Sequence, residues 1–208
     1  MPKTVDHAQR RAHIADALVR VAARDGLHAV TMRAVAAESG VSLRLVQYYF
    51  ETKEQLLLGA LRHLEQRSRE RWARRLAALP DPVPPRAFVE AFLAEALPSD
   101  EQSRMFHLVG ASYATLAVTD PGLTAEPFVA NVYELQRQLA EALRRAHADG
   151  QVGADVDVDL AAAHLVALSH GVGTSVLIGQ LPVGTAERML RTHLDTLFGS
   201  TAPGQRPA

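Results

Sequence analysis

Three polar side chains, Arg44, Gln47 and Tyr48, lie close together at spacings that keep them on the exposed side of a helix. An arginine can donate two hydrogen bonds to the edge of guanine, and a glutamine can pair with the donor and acceptor of adenine. The major groove of DNA admits one α-helix, so a short helix that exposes these groups is suited to it. The side chains therefore indicate recognition of base edges.

Two short helices joined by a glycine turn must position these side chains. Thr31 is an N-cap residue before the helix formers Met32 to Glu38, and Gly40 supplies the backbone freedom that ends this helix. Ser42 caps the second helix. The apolar residues expected to face inward from the pair are Val35, Ala36, Val41, Val46 and Phe50. The pattern alone also fits a packed helical hairpin that binds no DNA.

The segment from Ile14 to Leu57 resembles the DNA-binding domain of the tetracycline-repressor (TetR) family. The motifs that carry the resemblance, in chain order, are Asp25-Gly26, Thr31-Met32-Arg33, Gly40-Val41-Ser42, Tyr49-Phe50 and Thr52-Lys53-Glu54-Gln55-Leu56-Leu57. Two positions depart from the common pattern, since Arg44 stands where a glycine is usual and Gln47 where a tyrosine is usual. The resemblance implies a repressor that binds a palindromic operator in double-stranded DNA as a homodimer and is released by a small-molecule effector.

The resemblance and the exposed pattern together predict the residues that contact operator DNA. Arg44 is expected to reach a base edge, whereas Tyr49 and Lys53 are expected to meet phosphates. The full expected set is Thr31, Arg33, Ser42, Leu43, Arg44, Gln47, Tyr48, Tyr49 and Lys53. Residues 1–53 hold eight Lys or Arg and five Asp or Glu, a net charge of +3, although the whole chain has −1. A local positive charge favours association with phosphates.

Composition predicts an all-α protein with two domains. The 208 residues suffice for a small DNA-binding domain and one larger core, and a 48% hydrophobic content with only 5% aromatic residues suits helix packing. We expect a helix-turn-helix domain over residues 1–53, a ligand-binding and dimerisation domain over 54–198 and a disordered tail over 199–208. The chain has no cysteine, which excludes disulfides, thiolate metal sites and cysteine nucleophiles.

Beyond residue 53 the hydrophobic spacing predicts six further helices and no strand. The fourth helix runs from Glu54 to about Leu79, and the fifth begins at Pro84-Pro85. Ser99 and Gln102 are predicted to form a capping box for the sixth helix. The seventh is expected from about Thr124 to Ala148, the eighth from a cap at Asp157 or a neighbouring aspartate to Ile178, and the ninth from a cap at Thr185 to Phe198.

The eighth and ninth helices are apolar around much of their circumference, so one protomer would struggle to cover both. We expect them to form the two-fold interface of a homodimer, since most soluble oligomers are symmetric dimers. A charge at Leu194 should then give monomers. The alternative is a core wholly within one protomer. The segment from Tyr133 to Leu181 resembles the C-terminal half of choline-responsive members of the TetR family, in which these two helices pair across the dimer.

Polar and aromatic side chains on otherwise apolar helical faces indicate a pocket for a small hydrophobic or amphipathic effector. The resemblance implies an effector cavity among the sixth, seventh and eighth helices. The expected contacts are Phe106, His107, Gly110, Tyr113, Tyr133, Gln136, Ser169, His170 and Thr174. Each of these residues singly also fits an ordinary core or surface position.

Catalytic and metal-binding interpretations find little support in the sequence. It contains no G-x-S-x-G elbow, P-loop or H-E-x-x-H motif, and Gly171 and Gly173 follow a helical pattern rather than a strand. His164 and His170 share a helix at a spacing that separates their faces, so we expect no metal site and no cofactor. No apolar run is expected to span a membrane, and the protein should be cytoplasmic. A helical interaction protein and a small helical enzyme remain as alternatives.

Overall fold

The structure, a computed structural model, describes residues 3–119 and 127–199. Over these two ranges the chain forms nine α-helices and no β-strand, which confirms the predicted all-α class. The helices are α1 (Lys3–Asp25), α2 (Met32–Ser39), α3 (Leu43–Tyr49), α4 (Lys53–Ala77), α5 (Pro85–Glu95), α6 (Glu101–Thr119), α7 (Pro127–Ala148), α8 (Val158–Leu177) and α9 (Val183–Leu197). A 3₁₀ turn, Leu27–Ala29, lies between α1 and α2. The predicted start of the seventh helix at Thr124 and the tail beyond Gly199 lie outside the described residues.

The chain divides into two compact units. Unit 1 consists of Met1–Glu70 and Pro98–Thr124, and unit 2 of Arg71–Leu97 and Ala125–Ala208. The division falls inside α4, so the N-terminal part of this helix belongs to unit 1 and its last turns to unit 2. The helix-turn-helix segment lies wholly in unit 1, and α8 and α9 lie wholly in unit 2.

Local signals in the sequence determine both ends of α2 and the start of α3. Thr31 Oγ1 accepts a hydrogen bond of 3.0 Å from the Ala34 amide, and Ser42 Oγ accepts one of 3.2 Å from the Leu45 amide, as expected for N-cap residues. Gly40 ends α2 with a φ of 67°, in the left-handed region that glycine adopts at little cost. The resulting turn lets α2 pack against both α1 and α3.

Phe50 is the apolar anchor that follows α3. Its side chain is 1% exposed, and the Arg11 guanidinium of α1 lies 4.7 Å from its ring centroid. Gly59 of α4 provides the room for the ring, because a Cβ atom there would lie 2.3 Å from Phe50 Cε1. The ring therefore fixes the C-terminal end of α3 between α1 and α4.

Unit 2 has one continuous hydrophobic core. It is formed by buried residues of α5, α7, α8 and α9, among them Phe92, Leu139, Leu143, Leu165 and Leu190. Asp157 caps α8 by accepting hydrogen bonds from the Asp159 and Leu160 amides, as the sequence predicts. The same core also receives Phe198, the C-cap residue that follows α9.

Two predicted helix starts are wrong. For α6 the capping pair is Asp100 and Ser103 rather than Ser99 and Gln102, since the Ser103 amide donates to Asp100 Oδ1 at 2.7 Å and the Asp100 amide donates to Ser103 Oγ at 3.0 Å. The Ser103 side chain is 3% exposed, so it faces inward, where it forms the reciprocal hydrogen bonds with Asp100. For α9 the N-cap position is Pro182, and Thr185 lies inside the first turn. The fixed φ of proline suits it to the residues around a helix start.

The apolar residues that α8 and α9 expose do not include Leu194, which the sequence predicts at the dimer interface. Leu194 is 3% exposed and belongs to the core of unit 2, so a charge there would disrupt this unit itself. The expectation that this position isolates a dimer interface is therefore wrong. The large apolar side chains exposed on or beside these helices are instead Leu160 (53%), Ile178 (62%) and Met189 (46%).

By length and composition, α8 could cross a lipid bilayer. Its mean hydropathy over an 18-residue window is 1.4, so the expectation that no apolar run reaches the length of a membrane span is wrong. One such helix is a weak indication, because core helices of soluble proteins meet the same criteria, and 33% of this window is buried within the chain.

Candidate nucleic-acid interface

The α3 helix exposes the polar residues that the sequence singles out. Arg44, Gln47 and Tyr48 are exposed, and 70% of the Tyr48 surface is accessible. Val46 on the opposite side of the helix is fully buried. A helix of only seven residues gains little stability by itself, so its orientation depends on Val46 and on the Phe50 anchor. The arrangement presents an arginine and a glutamine to solvent from a helix with a fixed direction.

The hydroxyl groups of Thr31 and Ser42 already serve as helix caps. Each hydroxyl oxygen accepts an amide hydrogen bond, which leaves its own O–H free to donate to another acceptor. Both residues are exposed, and so are Arg33 on α2 and Lys53 at the start of α4. Leu43, in the first turn of α3, is half-buried. The exposed members of this set are all hydrogen-bond donors, which suits an acidic partner.

Ion pairs set the position of α2 against α1. Glu38 accepts hydrogen bonds of 2.8 Å from both Arg20 and Arg24, and Arg24 also pairs with Asp25. The hydrogen bonds from Arg20 and Arg24 hold the pKa of the Glu38 carboxyl below its usual value. Because Arg20 and Arg24 are exposed and Glu38 is only half-buried, solvent screens these ion pairs, and they orient the two helices more than they stabilise them.

Histidines of unit 1 also tie its helices together. His13 Nε2 lies 2.8 Å from the Ser39 carbonyl oxygen, and His63 Nε2 lies 2.8 Å from Asp16 Oδ1. Arg67 reaches the same Asp16 oxygen at 3.3 Å. These contacts link α1 to α2 and to α4. Over residues 3–119 and 127–199, no group of three His, Asp or Glu side chains is arranged to hold a metal ion.

His7 joins the exposed end of α3, and sequence reasoning did not find it. Its Nδ1 lies 3.0 Å from Tyr49 Oη, and the two rings meet edge to face with centroids 5.7 Å apart. Tyr48 packs against Tyr49 in the same manner, at 5.2 Å. The contact joins residues 42 positions apart, so neither periodicity nor a local motif could reveal it.

The residues predicted to contact an effector fall into both units. On α6 of unit 1, Phe106 and His107 are half-buried with ring centroids 5.4 Å apart, and Gly110 is half-buried. The side chain of Tyr113 lies outside the described part of the structure. In unit 2, 68% of Tyr133 is exposed and Gln136 is half-buried.

The three predicted effector residues on α8 differ from one another in environment. Ser169 is 1% exposed, and its hydroxyl donates to the Val166 carbonyl oxygen at 2.8 Å. His170 and Thr174 are exposed. The Ser169 hydroxyl thus has a partner within its own helix, whereas His170 and Thr174 are open to a partner from outside it.

A shallow depression lies on the α8–α9 surface of unit 2. Its volume is about 220 Å³. It is lined by Val156, Asp157, Leu160, Ala161, His164, His193 and Leu197. Most of these side chains are apolar, and the exposed Leu160 stands at the depression. The surface therefore combines exposed hydrocarbon with a shallow concave region.

Two family profiles match most of the chain. Residues 14–60 match bacterial regulatory proteins of the tetR family, and residues 85–199 match the C-terminal part of BetI-type transcriptional repressors. The first profile covers the second half of α1, all of α2 and α3 and the start of α4, and the second covers α5 to α9.

Individual relatives agree with these profiles. The transcriptional regulator PksA of Bacillus subtilis (strain 168) is 32% identical over 103 residues, which are 50% of this chain and 49% of that protein. The regulator BetI of Rhizobium meliloti (strain 1021) is 36% identical over 101 residues, or 49% of this chain and 48% of that protein. The alignments thus span about half the length of these relatives. A crystallised protein from Saccharomonospora viridis, in complex with choline, has a TM-score of 0.76 at 26% identity and covers 93% of this chain and 97% of its own.

Proposed function

Since the chain belongs to the TetR family of bacterial transcriptional regulators, we propose that it is a cytoplasmic repressor that binds a palindromic operator as a homodimer. A small-molecule effector releases it from the DNA. The observation that carries this proposal is the exposed polar surface of α3, whose short helix is anchored by Val46 and Phe50. Arg44, Gln47 and Tyr48, which are predicted to contact DNA, lie on that surface.

On the DNA side, Arg44 donates to a guanine edge and Gln47 pairs with adenine in the major groove. Tyr49 and Lys53 contact phosphates, and Thr31, Arg33 and Ser42 add donors from the capped ends of α2 and α3. Tyr48 and Leu43 supply apolar contact beside the bases. Arg44 takes over base contact at a position where the family usually has glycine, so this chain should read a sequence of its own.

For assembly, α8 and α9 pair with the same helices of a second copy. The proposal is supported by the exposed hydrocarbon of Leu160, Ile178 and Met189, which a single protomer leaves in water. A two-fold dimer brings one α3 from each protomer to the DNA. The two helices must then enter major grooves about 34 to 36 Å apart, or a multiple of that spacing, which is the origin of the palindromic operator.

For the effector, we propose a small hydrophobic or amphipathic molecule, with quaternary ammonium compounds as the first class to test. The support is the match to BetI-type repressors over residues 85–199 and the choline bound to the protein from Saccharomonospora viridis. Phe106, His107, Gly110 and Tyr113 on α6 are candidate contacts. Tyr133 and Gln136 on α7, with Ser169, His170 and Thr174 on α8, are a second, separate group of candidates.

The DNA-binding proposal is tested by selection of duplexes from a randomised library with the full-length protein. The selected sequences should contain an inverted repeat, and a labelled duplex of that sequence should bind far more tightly than a scrambled duplex of equal length in fluorescence anisotropy. Equal affinity for both duplexes would refute operator recognition.

The effector proposal is tested by titration of the operator complex with choline. Release of the duplex is expected with choline but not with its neutral isostere, 3,3-dimethylbutan-1-ol, because an aromatic pocket attracts the cation. An effector can release DNA only through its different affinities for the two states of the protein. Binding of choline without any change in operator affinity would contradict the proposed induction.

A further inference from the structure

The end of α3 carries a cluster of three aromatic rings, defined by His7, Tyr48 and Tyr49. Tyr49 lies between the other two and meets each of them edge to face. The His7 ring belongs to the first turns of α1, and the hydrogen bond between its Nδ1 and Tyr49 Oη joins α1 to the last residue of α3.

The cluster is poorly suited to a purely stabilising role. His7 is exposed, Tyr48 is 70% exposed and Tyr49 is only half-buried. A hydrogen bond between exposed groups adds little to stability, because water competes for both partners. What the contact does determine is the direction of the Tyr49 hydroxyl, on the side of unit 1 where the proposed DNA contacts lie.

The chemistry of the imidazole decides what the Tyr49 hydroxyl can do. When Nδ1 of a neutral His7 is unprotonated, it accepts a hydrogen bond from the Tyr49 hydroxyl, which then has no hydrogen left for a phosphate. When His7 carries a proton on both ring nitrogens, Nδ1–H donates to Tyr49 Oη instead. The Tyr49 O–H and the His7 Nε2–H are then both free to donate to phosphate oxygens.

We propose that His7 and Tyr49 form a joint contact site for a DNA backbone phosphate, with a protonated His7 that both orients the Tyr49 hydroxyl and donates to the phosphate. The inference rests on the proposed DNA-binding function and adds a residue outside the helix-turn-helix. A phosphate favours the charged form of a nearby imidazole, so each protomer takes up a proton as it binds DNA.

Other charged and titratable groups lie on each element that carries the joint site. On α1 they are Arg10 and Arg11, one turn beyond His7. Beyond α3 they are Glu51 and Lys53, and on α3 itself they are the phenols of Tyr48 and Tyr49. Comparison of the wild-type protein with a His7 variant at two pH values separates the change in DNA affinity that depends on His7 from any change that these groups cause.

The test compares the wild-type protein with His7→Gln, Tyr49→Phe and the double variant on the selected operator and on a scrambled duplex. The glutamine amide can still donate to Tyr49 but cannot carry a charge. At about pH 6, His7→Gln is expected to weaken binding to both duplexes about tenfold, and at about pH 8 less than about twofold. The slope of log affinity against log salt should fall by about 1.8 per dimer at about pH 6, since each lost phosphate contact contributes about 0.9.

The double variant tests whether the two residues act as one site. If they do, the losses from His7→Gln and Tyr49→Phe are not additive at about pH 6. His147→Gln, at the end of α7 in unit 2, is the matched control and should leave the pH profile unchanged. Circular dichroism melting checks that all variants fold.

The outcomes separate this inference from the proposed function. If the wild-type protein selects an operator but His7→Gln keeps the wild-type salt slope at both pH values, the joint site is wrong and the DNA-binding function stands. Additive losses would also overturn it, because His7 would then contact DNA without Tyr49. If the wild-type protein selects no sequence and binds no duplex, the proposed function itself fails.

Discussion

Two exposed surfaces of the molecule differ in polarity. At α3, the buried residues Val46 and Phe50 hold a seven-residue helix whose outer side presents Arg44, Gln47 and Tyr48. On α8 and α9, a large core supports helices whose outer side presents hydrocarbon, with Leu160 more than half exposed. A polar surface on a well-packed helix can discriminate between binding partners through hydrogen bonds. An apolar surface favours a stable interface with another subunit, which removes it from water. This difference supports the proposal that unit 1 reads DNA and unit 2 carries the dimer interface.

The largest effect on stability is expected when Phe50, which anchors the polar surface of α3, is replaced. Phe50→Ala should lower the free energy of unfolding by about 3 to 5 kcal/mol, because it removes a ring that is 1% exposed and leaves a cavity beside Gly59. Urea denaturation followed by circular dichroism measures the change. Tyr48→Ala, on the exposed side of the same helix, should change it by less than about 0.5 kcal/mol.

Gly59→Ala sharpens this test. In the wild-type background its Cβ atom would meet the Phe50 ring, so the variant should be destabilised. In the Phe50→Ala background the ring is gone, and the same change should stabilise the helix by about 1 kcal/mol. The same sign in both backgrounds would show that Phe50 does not occupy this space.

Substitutions on the apolar surface are expected to disrupt dimerisation without unfolding the protomer. Leu160→Glu or Met189→Glu should give monomers that remain folded, since each places a charge on the proposed interface at a cost of about 3 to 5 kcal/mol when the dimer buries it. Multi-angle light scattering measures the mass, and anisotropy should show a collapse of operator affinity because two half-sites are read together. Gln151→Glu, an exposed polar position of unit 2, is the matched control. Dimers in both leucine and methionine variants would place the interface elsewhere.

The sequence predicted what short-range chemistry determines. Thr31, Gly40 and Ser42 act within three or four residues of themselves, and the structure has all three in their predicted roles. The cap of α6 was misplaced by one residue because Ser99 and Asp100 are both good capping residues. Only the packing of Ser103, which is 3% exposed, selects between them.

Long-range packing explains what the sequence left undetermined. On α9, Met189 and Leu194 are both apolar, and only the position of the core shows that Leu194 faces inward and Met189 outward. The contact between His7 and Tyr49 depends on how α1 meets α3 and has no local signal. A periodic pattern identifies an apolar helix, but it does not say which side of that helix the rest of the chain covers.

Substitutions on the α3 surface should alter DNA binding without altering the fold. Arg44→Ala is expected to cost about 1 to 3 kcal/mol in operator affinity and to relax specificity at one base pair, because the arginine is proposed to read a base edge. Lys53→Ala should weaken operator and scrambled duplexes alike, because the lysine is proposed to contact phosphate. Anisotropy with single-base-pair operator variants distinguishes the two patterns. Equal losses on specific and scrambled DNA for Arg44→Ala would argue against base reading.

The smallest effect is expected for the exposed ion pairs that orient α2, since solvent screens them. The hydrogen bonds from Arg20 and Arg24 lower the pKa of Glu38 from its usual 4.5, so its stabilising contribution is fully present above that value and is lost as the pH falls through the lowered pKa. Wild-type protein should therefore melt slightly above Glu38→Gln at about pH 7, and this difference in melting temperature should shrink as the pH falls through the lowered pKa. A difference that stays constant with pH would mean that Glu38 acts through packing, and the polar surface of unit 1 would then depend on burial in the same way as the apolar surface of unit 2.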